Sequence, residues 1–286
     1  MNAVLDADLI ARAAQEIASA DALVIGAGAG MGVDSGLPDF RGNQGFWRAY
    51  PVYEKLGLSF SSMANPRWFR TDPEMAWGFY GHRLGLYRKT VPHAGFSTLL
   101  SWARRMKKGV FVFTSNVDGQ FQRAGFDPDQ IIEAHGAIDL LQCTQACGVG
   151  IFSADAFQVV VDGETFRARR PLPSCPRCGA LARPNILMFG DGGWDSERTE
   201  RQEERLARFL RDLEEGKVAV VECGAGSAIP TVRHFCEQVA ESYKARLIRI
   251  NPREPEVPAG GLSFAEGARA TLFAIDEAQK ALAAPG

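Results

Sequence analysis

Apolar positions along this chain follow two patterns. Short unbroken runs, Ala22-Leu23-Val24-Ile25, Val110-Phe111-Val112-Phe113, Val218-Ala219-Val220-Val221 and the stretch Arg246–Ile250, read as strands buried on both faces. Between them, apolar residues recur at helical spacing. Residues 6–20 carry Leu9, Ile10, Ala13 and Ile17 near that spacing, and 73–89 set Trp77, Tyr80 and Leu84 on one side. Further helices are predicted at 93–107, 230–242 and 272–284. Residues 196–215 predict a charged helix with the stripe Leu206, Phe209, Leu210 and Leu213, its Arg/Glu run forming a solvated face. Ile131 to Gly136 reads as a third short strand ending at a loop. Strands alternating with helices imply a doubly wound, Rossmann-like parallel α/β sheet.

Two segments interrupt this alternation. Residues 43–90 are aromatic-rich and broken by Pro51, Pro66 and Pro73, which predicts short helices. Residues 141–183 are rich in turns and cysteines, with one strand expected at 157–161. The chain is therefore expected to fold as a large lobe (1–42, 91–140 and 184–286) and a smaller one, helical over 43–90 and metal-binding over 141–183. Leu187-Met188-Phe189 is a further apolar stretch, and no internal repeat is present.

Composition narrows the picture only slightly. With 286 residues, 46% of them hydrophobic and 23% charged, the chain can bury a substantial core. A formal net charge of -2 gives no global reason to expect nucleic acid as a partner. No apolar run approaches the ~18 residues needed to span a bilayer. Met1 to Asp6 lacks the basic segment and apolar core of a secretion signal, so a cytoplasmic location is expected.

The cysteines change the picture more. Cys143-x3-Cys147 and Cys175-x2-Cys178 form two close pairs, whereas Cys223 ends a strand and Cys236 lies on a helix, as packing residues do. In a reducing compartment paired cysteines point to metal. Four thiolates complete a tetrahedral zinc with no position left for water, so such an ion would be structural. The first pair is one residue longer than the common Cys-x2-Cys.

Candidate chemistry gathers at strand ends, where open α/β sheets bind ligands. After the first strand come Gly28-Ala29-Gly30-Met31-Gly32 and Pro38-Asp39-Phe40-Arg41. Bare backbone there can approach an anion, but the spacing fits neither Gly-x-Gly-x-x-Gly nor a P-loop. A tight turn would explain the glycines, but not an aromatic and an arginine together. After the second strand, Thr114-Ser115-Asn116-Val117-Asp118 offers either a helix cap or groups for ribose hydroxyls and a carboxamide. His135 ends the third strand and has the acid–base range of a general base. His82, His93 and His234 fall in helices or at their starts and read as structural. Gly224-Ala225-Gly226-Ser227 repeats the strand–glycine-loop–helix arrangement, and Asn251 ends the next strand.

Taken together, these motifs resemble those of the sirtuins, NAD-dependent protein lysine deacylases, in order from about residue 22 to 254. Gly28-Ala29-Gly30, Pro38-Asp39-Phe40-Arg41, Thr114 to Asp118, Glu133-Ala134-His135-Gly136, the cysteine pairs, Phe189-Gly190-Asp191 and Asn251 carry the likeness. The resemblance implies that the first glycine loop and residues 224–227 hold NAD phosphates, with Phe40 and Arg41 beside the nicotinamide ribose. It implies that Asn116 and Asp118, flanked by Ser115 and Val117, orient ribose and carboxamide. His135 would deprotonate a ribose hydroxyl, giving nicotinamide and O-acyl-ADP-ribose. The backbone around Met188, Phe189 and Gly190 would pair with an acylated-lysine peptide.

Tyr80-x-x-Arg83 is similar to the pair that binds the acyl carboxylate in sirtuins removing succinyl, malonyl or glutaryl groups. Its i,i+3 spacing puts both side chains on one helix face. A core tyrosine beside a surface arginine is the plainer alternative. The chain departs from the family at Ser115, where glutamine is usual, at Gly32, where serine is usual, and in a glycine-richer 224–227 loop. An NAD glycohydrolase, a mono-ADP-ribosyltransferase and a non-enzymatic NAD or ADP-ribose sensor are the competing readings.

Overall fold

The computed structural model describes residues 6–38, 42–213 and 216–283. Six strands form one parallel sheet: β1 (Ala22–Ala27), β2 (Val110–Thr114), β3 (Ile131–Glu133), β7 (Val218–Cys223), β8 (Leu247–Ile250) and β9 (Leu262–Phe264). Their order is β3-β2-β1-β7-β8-β9. The chain winds outward from β1 in one direction and from β7 in the other, so the order reverses between these two strands. That reversal opens a crevice at their carboxyl ends.

Both faces of the sheet are covered, which is why its central strands are apolar without alternation. Leu23, Ile25 and Ala27 point into a core shared with the helices Ala7–Ala18, Ala94–Ala103 and Ala268–Ala283. Ala22 and Val24 point into the opposite core, with Val232, Cys236 and Val239 of the helix Thr231–Ser242. Trp102 Nε1 donates to Asp276 Oδ1 at 2.8 Å, joining two helices of the first layer. No described helix is long and apolar enough to cross a membrane.

A second, aromatic core joins the helices of residues 42–89 to a three-stranded antiparallel sheet of order β5-β4-β6. Its strands are β4 (Gly136–Cys143), β5 (Phe152–Ser153) and β6 (Ala182–Ile186). The helix Pro73–Lys89 has the predicted bounds, and Trp77, Tyr80 and Leu84 on it are buried. Trp77 Nε1 donates to the Ala182 carbonyl at 2.9 Å, tying helix to sheet. At Gly78 the helix meets the backbone of Phe166 so closely that a Cβ would overlap that carbonyl.

Several sequence expectations are corrected. The strand expected at 157–161 is absent; Val161 makes only an isolated bridge with Ala168, and Val159 packs on Gly81. The strand expected to run from Ile131 to Gly136 stops at Glu133, and Gly136 begins β4 instead. β4 and β6 cross the expected lobe boundaries at 140/141 and 183/184. The charged helix spans Glu197–Arg211, and the last helix starts at Ala268.

Candidate functional site

The glycine loop after β1 is a turn of 3-10 helix, Ala29–Ser35, lying against the loop after β7. Gly28 N donates to the Cys223 carbonyl, and Gly30 N to the Gly224 carbonyl, each at 3.0 Å. A Cβ on Gly28 would lie 2.6 Å from Ala225 Cα. Gly224 has φ +64 and sits directly against the Gly30–Met31 peptide, so both its backbone and its lack of a side chain are required. Two loops thus meet backbone to backbone at the point where the strand order reverses.

The loop after β2 is fastened to this junction. Thr114 Oγ1 donates to the Ala27 carbonyl at 2.8 Å and accepts from Asn116 N at 3.0 Å. Asn116 Nδ2 then donates to the Gly28 carbonyl at 2.9 Å. Asp118 is buried, and its carboxylate accepts from Gln120 N at 3.0 Å and from Gln120 Nε2 at 3.3 Å. Burial raises the Asp118 pKa, while the Gln120 donors and the positive charges of Arg123 and Arg83 oppose that rise.

His135 follows β3, half-buried, with its carbonyl accepting from Leu187 N at 3.0 Å. Desolvation lowers its pKa below the ordinary histidine range, and a hydrogen bond to the Ser115 backbone pulls the other way. The imidazole is therefore neutral at pH 7 and able to accept a proton. Behind it, Glu133 is buried and paired with Arg198, and Thr199 Oγ1 donates to the Glu133 carbonyl at 3.3 Å. These contacts fix the end of β3 against the helix Glu197–Arg211.

One cavity of about 530 Å³ unites these elements. The expected residues Gly28, Ala29, Tyr80, Arg83, Ser115, Asn116, Val117, Asp118, His135, Met188, Phe189 and Gly226 all line it. The segment after β6 is held open toward it by a buried ion pair, Arg183 with Asp191; Arg183 Nη1 donates to Asp191 Oδ1 at 3.0 Å. Asp191 Oδ2 also accepts from Met188 N at 3.3 Å, and Phe189 N donates to the Ala64 carbonyl at 2.9 Å. Leu187 and Phe189 stay substantially exposed.

Five expected ligand contacts lie outside this lining. Gly30 and Gly224 face each other in the loop junction. Ser227 N and Oγ both donate to the Glu254 carboxylate. Asn251 is fully buried; its Nδ2 donates to the Ala225 carbonyl at 2.7 Å, and its Oδ1 accepts from Arg253 N and Glu254 N. Gly190 makes the turn, at φ +68, that brings Asp191 back under the loop. Asp39, Phe40 and Arg41 fall outside the described residues. Sequence reading missed Tyr87, which also lines the cavity. Its position four residues after Arg83, on the same helix face, was the available signal.

The four cysteines converge at a separate place. Sγ atoms of Cys143, Cys147, Cys175 and Cys178 all lie within 4.8 Å of one another, with Cys143–Cys178 at 3.6 Å and Cys147–Cys175 at 3.5 Å. A tetrahedral zinc with bonds of about 2.3 Å sets sulfurs roughly 3.8 Å apart, so this donor set fits one zinc ion. Cys223 and Cys236 are buried elsewhere in the sheet cores.

Comparison with known proteins places these features in context. The Sir2 family profile matches residues 28–242. The NAD-dependent protein deacylase 1 of Archaeoglobus fulgidus is 30% identical over 240 residues, covering 83% of this chain and 84% of that protein. An NAD-dependent protein deacylase of Thermus thermophilus is 30% identical over 249 residues, 84% of each. Among solved structures, a Sir2 homolog–NAD complex superposes with a TM-score of 0.69 at 25% identity, covering 98% of this chain and 96% of that one.

Proposed function

The chain belongs to the Sir2 family and is an NAD-dependent protein deacylase; from that premise we propose that it favours acidic acyl groups, of the succinyl or malonyl kind, on protein lysine. The observation that carries this preference is the wall made by Tyr80 and Arg83. Both line the cavity, and both are buried. Tyr80 Oη has no hydrogen-bond partner among the described residues. Burial raises its pKa, with Arg83 and Arg183 acting in the opposite sense, so the hydroxyl stays a donor. A buried guanidinium and an unengaged phenol on one cavity wall suit a carboxylate, which accepts from both.

The remaining roles follow the chemistry of each group. His135, neutral and half-buried, takes the proton from a ribose hydroxyl of the NAD-derived sugar. Asn116 and Asp118 orient ribose and carboxamide from the end of β2. The backbone of Gly28, Ala29 and Gly226 approaches the phosphates. The strip from Leu187 to Phe189, whose end side chains Leu187 and Phe189 are exposed, would lie alongside an extended peptide. The four-cysteine cluster holds a structural zinc.

The test is turnover of acetyl- and succinyl-lysine forms of one peptide with NAD, with mass spectrometry of the nucleotide product. Succinyl-ADP-ribose should form with the higher kcat/KM, and Arg83→Met should lower the succinyl-to-acetyl ratio. A ratio unmoved by Arg83→Met would remove the acidic preference.

A further inference from the structure

Arg83 does not stand alone on its wall. One helical turn further on, Tyr87 Oη accepts from Arg83 Nε at 3.1 Å and from Arg83 Nη2 at 3.0 Å. The hydroxyl therefore sits in the side fork of the guanidinium, between the two nitrogens that most often grip a carboxylate side-on. The rings of Phe79, Tyr80 and Tyr87 lie 5.2, 5.8 and 5.4 Å from the guanidinium carbon, enclosing it in an aromatic sleeve. Tyr87 is 5% exposed and also lines the cavity. Asp118 adds its charge to the surroundings of the same hydroxyl, which links this wall to the β2 loop.

We propose that Tyr87 is a positioning residue that sets the acyl selectivity of the site by locking the plane and direction of the Arg83 guanidinium. This rests on the reading of Tyr80 and Arg83 as the acyl-carboxylate wall. An arginine has four rotatable bonds, and freezing them when substrate binds would weaken binding. Here the freezing is done by the fold. Two N–H groups, on Nε and Nη2, are committed to Tyr87, so the plane and direction of the guanidinium are set before any substrate arrives. Tyr80 Oη, three residues before Arg83 on the same face, lies on that cavity wall as a further donor. The role proposed for Tyr87 is exerted through its two contacts with Arg83.

The experiment uses the full-length protein with one peptide in acetyl- and succinyl-lysine forms at saturating NAD. Tyr87→Phe keeps the ring and removes only the hydroxyl. The succinyl-to-acetyl ratio of kcat/KM is expected to fall about tenfold, carried by the succinyl KM and not by kcat. Tyr87→Gln, which returns a carbonyl acceptor, should recover part of that ratio. An equal change on both peptides would show the hydroxyl to be merely structural and overturn the proposal, as would an unchanged ratio. Arg83→Met is measured alongside. If it lowers the ratio while Tyr87→Phe does not, only the role of Tyr87 fails; if it leaves the ratio unmoved, the acidic-acyl reading fails as well.

Discussion

Asn116 and Gly28 are joined directly: the side-chain amide of one donates to the main-chain carbonyl of the other at 2.9 Å, across the gap between β1 and β2. The contact fixes the orientation of the Asn116 side chain, with its amide nitrogen toward β1. Asn116→Asp replaces that donor by a carboxylate facing a carbonyl. Nicotinamide release should drop by about a hundredfold, a loss typical of a misdirected polar group at a reacting centre. Near-normal kcat/KM in this variant would show that the loop tie is dispensable.

With His135 as the proposed base, its burial would set the pH dependence of activity. Its folded-state pKa is lowered, chiefly by desolvation, so the neutral form survives to lower pH than for an exposed histidine. The acid limb of kcat/KM should therefore fall below the ordinary value near ~6.5, with activity lost as pH descends through the shifted pKa. Its pKa also bears on stability. The unfolded chain takes up the proton first, so this residue's stabilising contribution is complete above ~6.5 and is lost as pH falls through the folded-state pKa. His135→Ala should lower kcat by roughly a thousandfold. An acid limb lying above pH 7 would contradict this account.

Metal removal should act on the antiparallel sheet. Cys143 closes β4, and Cys175 and Cys178 lie just before β6, so the cluster clamps the strands where they diverge. Purified protein should contain one zinc per chain. Cys175→Ser should lose it and melt at a lower temperature, since binding energy at a structural site is folding energy. Cys223→Ser should keep the ion. Equal zinc content in both variants would exclude the four-cysteine site.

Two glycines on the helix Pro73–Lys89 give an internal contrast. Gly78→Ala drives a methyl into the Phe166 carbonyl and should destabilise by about 1–3 kcal/mol. A Cβ on Gly85 meets nothing within 4 Å, and Gly85→Ala should stabilise by about 0.5–1 kcal/mol through helix propensity. Chemical denaturation measures both. Equal effects would mean that Gly78 does not mark a close approach.

The central strands were legible because β1, β2 and β7 are covered on both faces, and burial of that kind leaves an unbroken apolar run. The helix Pro73–Lys89 was legible through Trp77, Tyr80 and Leu84 on one side, and in the structure the Asp72 side chain caps its start by accepting from Met75 N. β4 and β6 were not legible, since they bury Gln142, Arg183 and Asn185. Asn185 Nδ2 donates to Gln142 Oε1 at 3.0 Å, and Arg183 pairs with Asp191. Partners of that kind are supplied by other strands and loops, and no local pattern records them. The expected strand at 157–161 shows the converse error. Val159 and Val161 lie against Gly81 of a helix, and Val160 stays exposed. At the site, residue types singled out Asn116, Asp118 and His135, and the fold brings all three to the lining of one cavity. Residue types could not show that Asn251 and Ser227 are occupied by contacts within the protein, because those depend on how the loop after β8 folds back.

Where the loops after β1 and β7 touch, there is no space for a side chain on either Gly28 or Gly224. Anything lodged at that junction meets main chain, whose chemistry is the same whatever the sequence. The opposite wall is built from Tyr80, Arg83 and Tyr87, three side chains on consecutive turns of one helix. The cavity thus has one half that substitution cannot easily rewrite and another that a single exchange can retune. On the proposed reading, an acyl preference would be retuned by exchanges on the helix, while the main-chain junction of the two loops stays as it is.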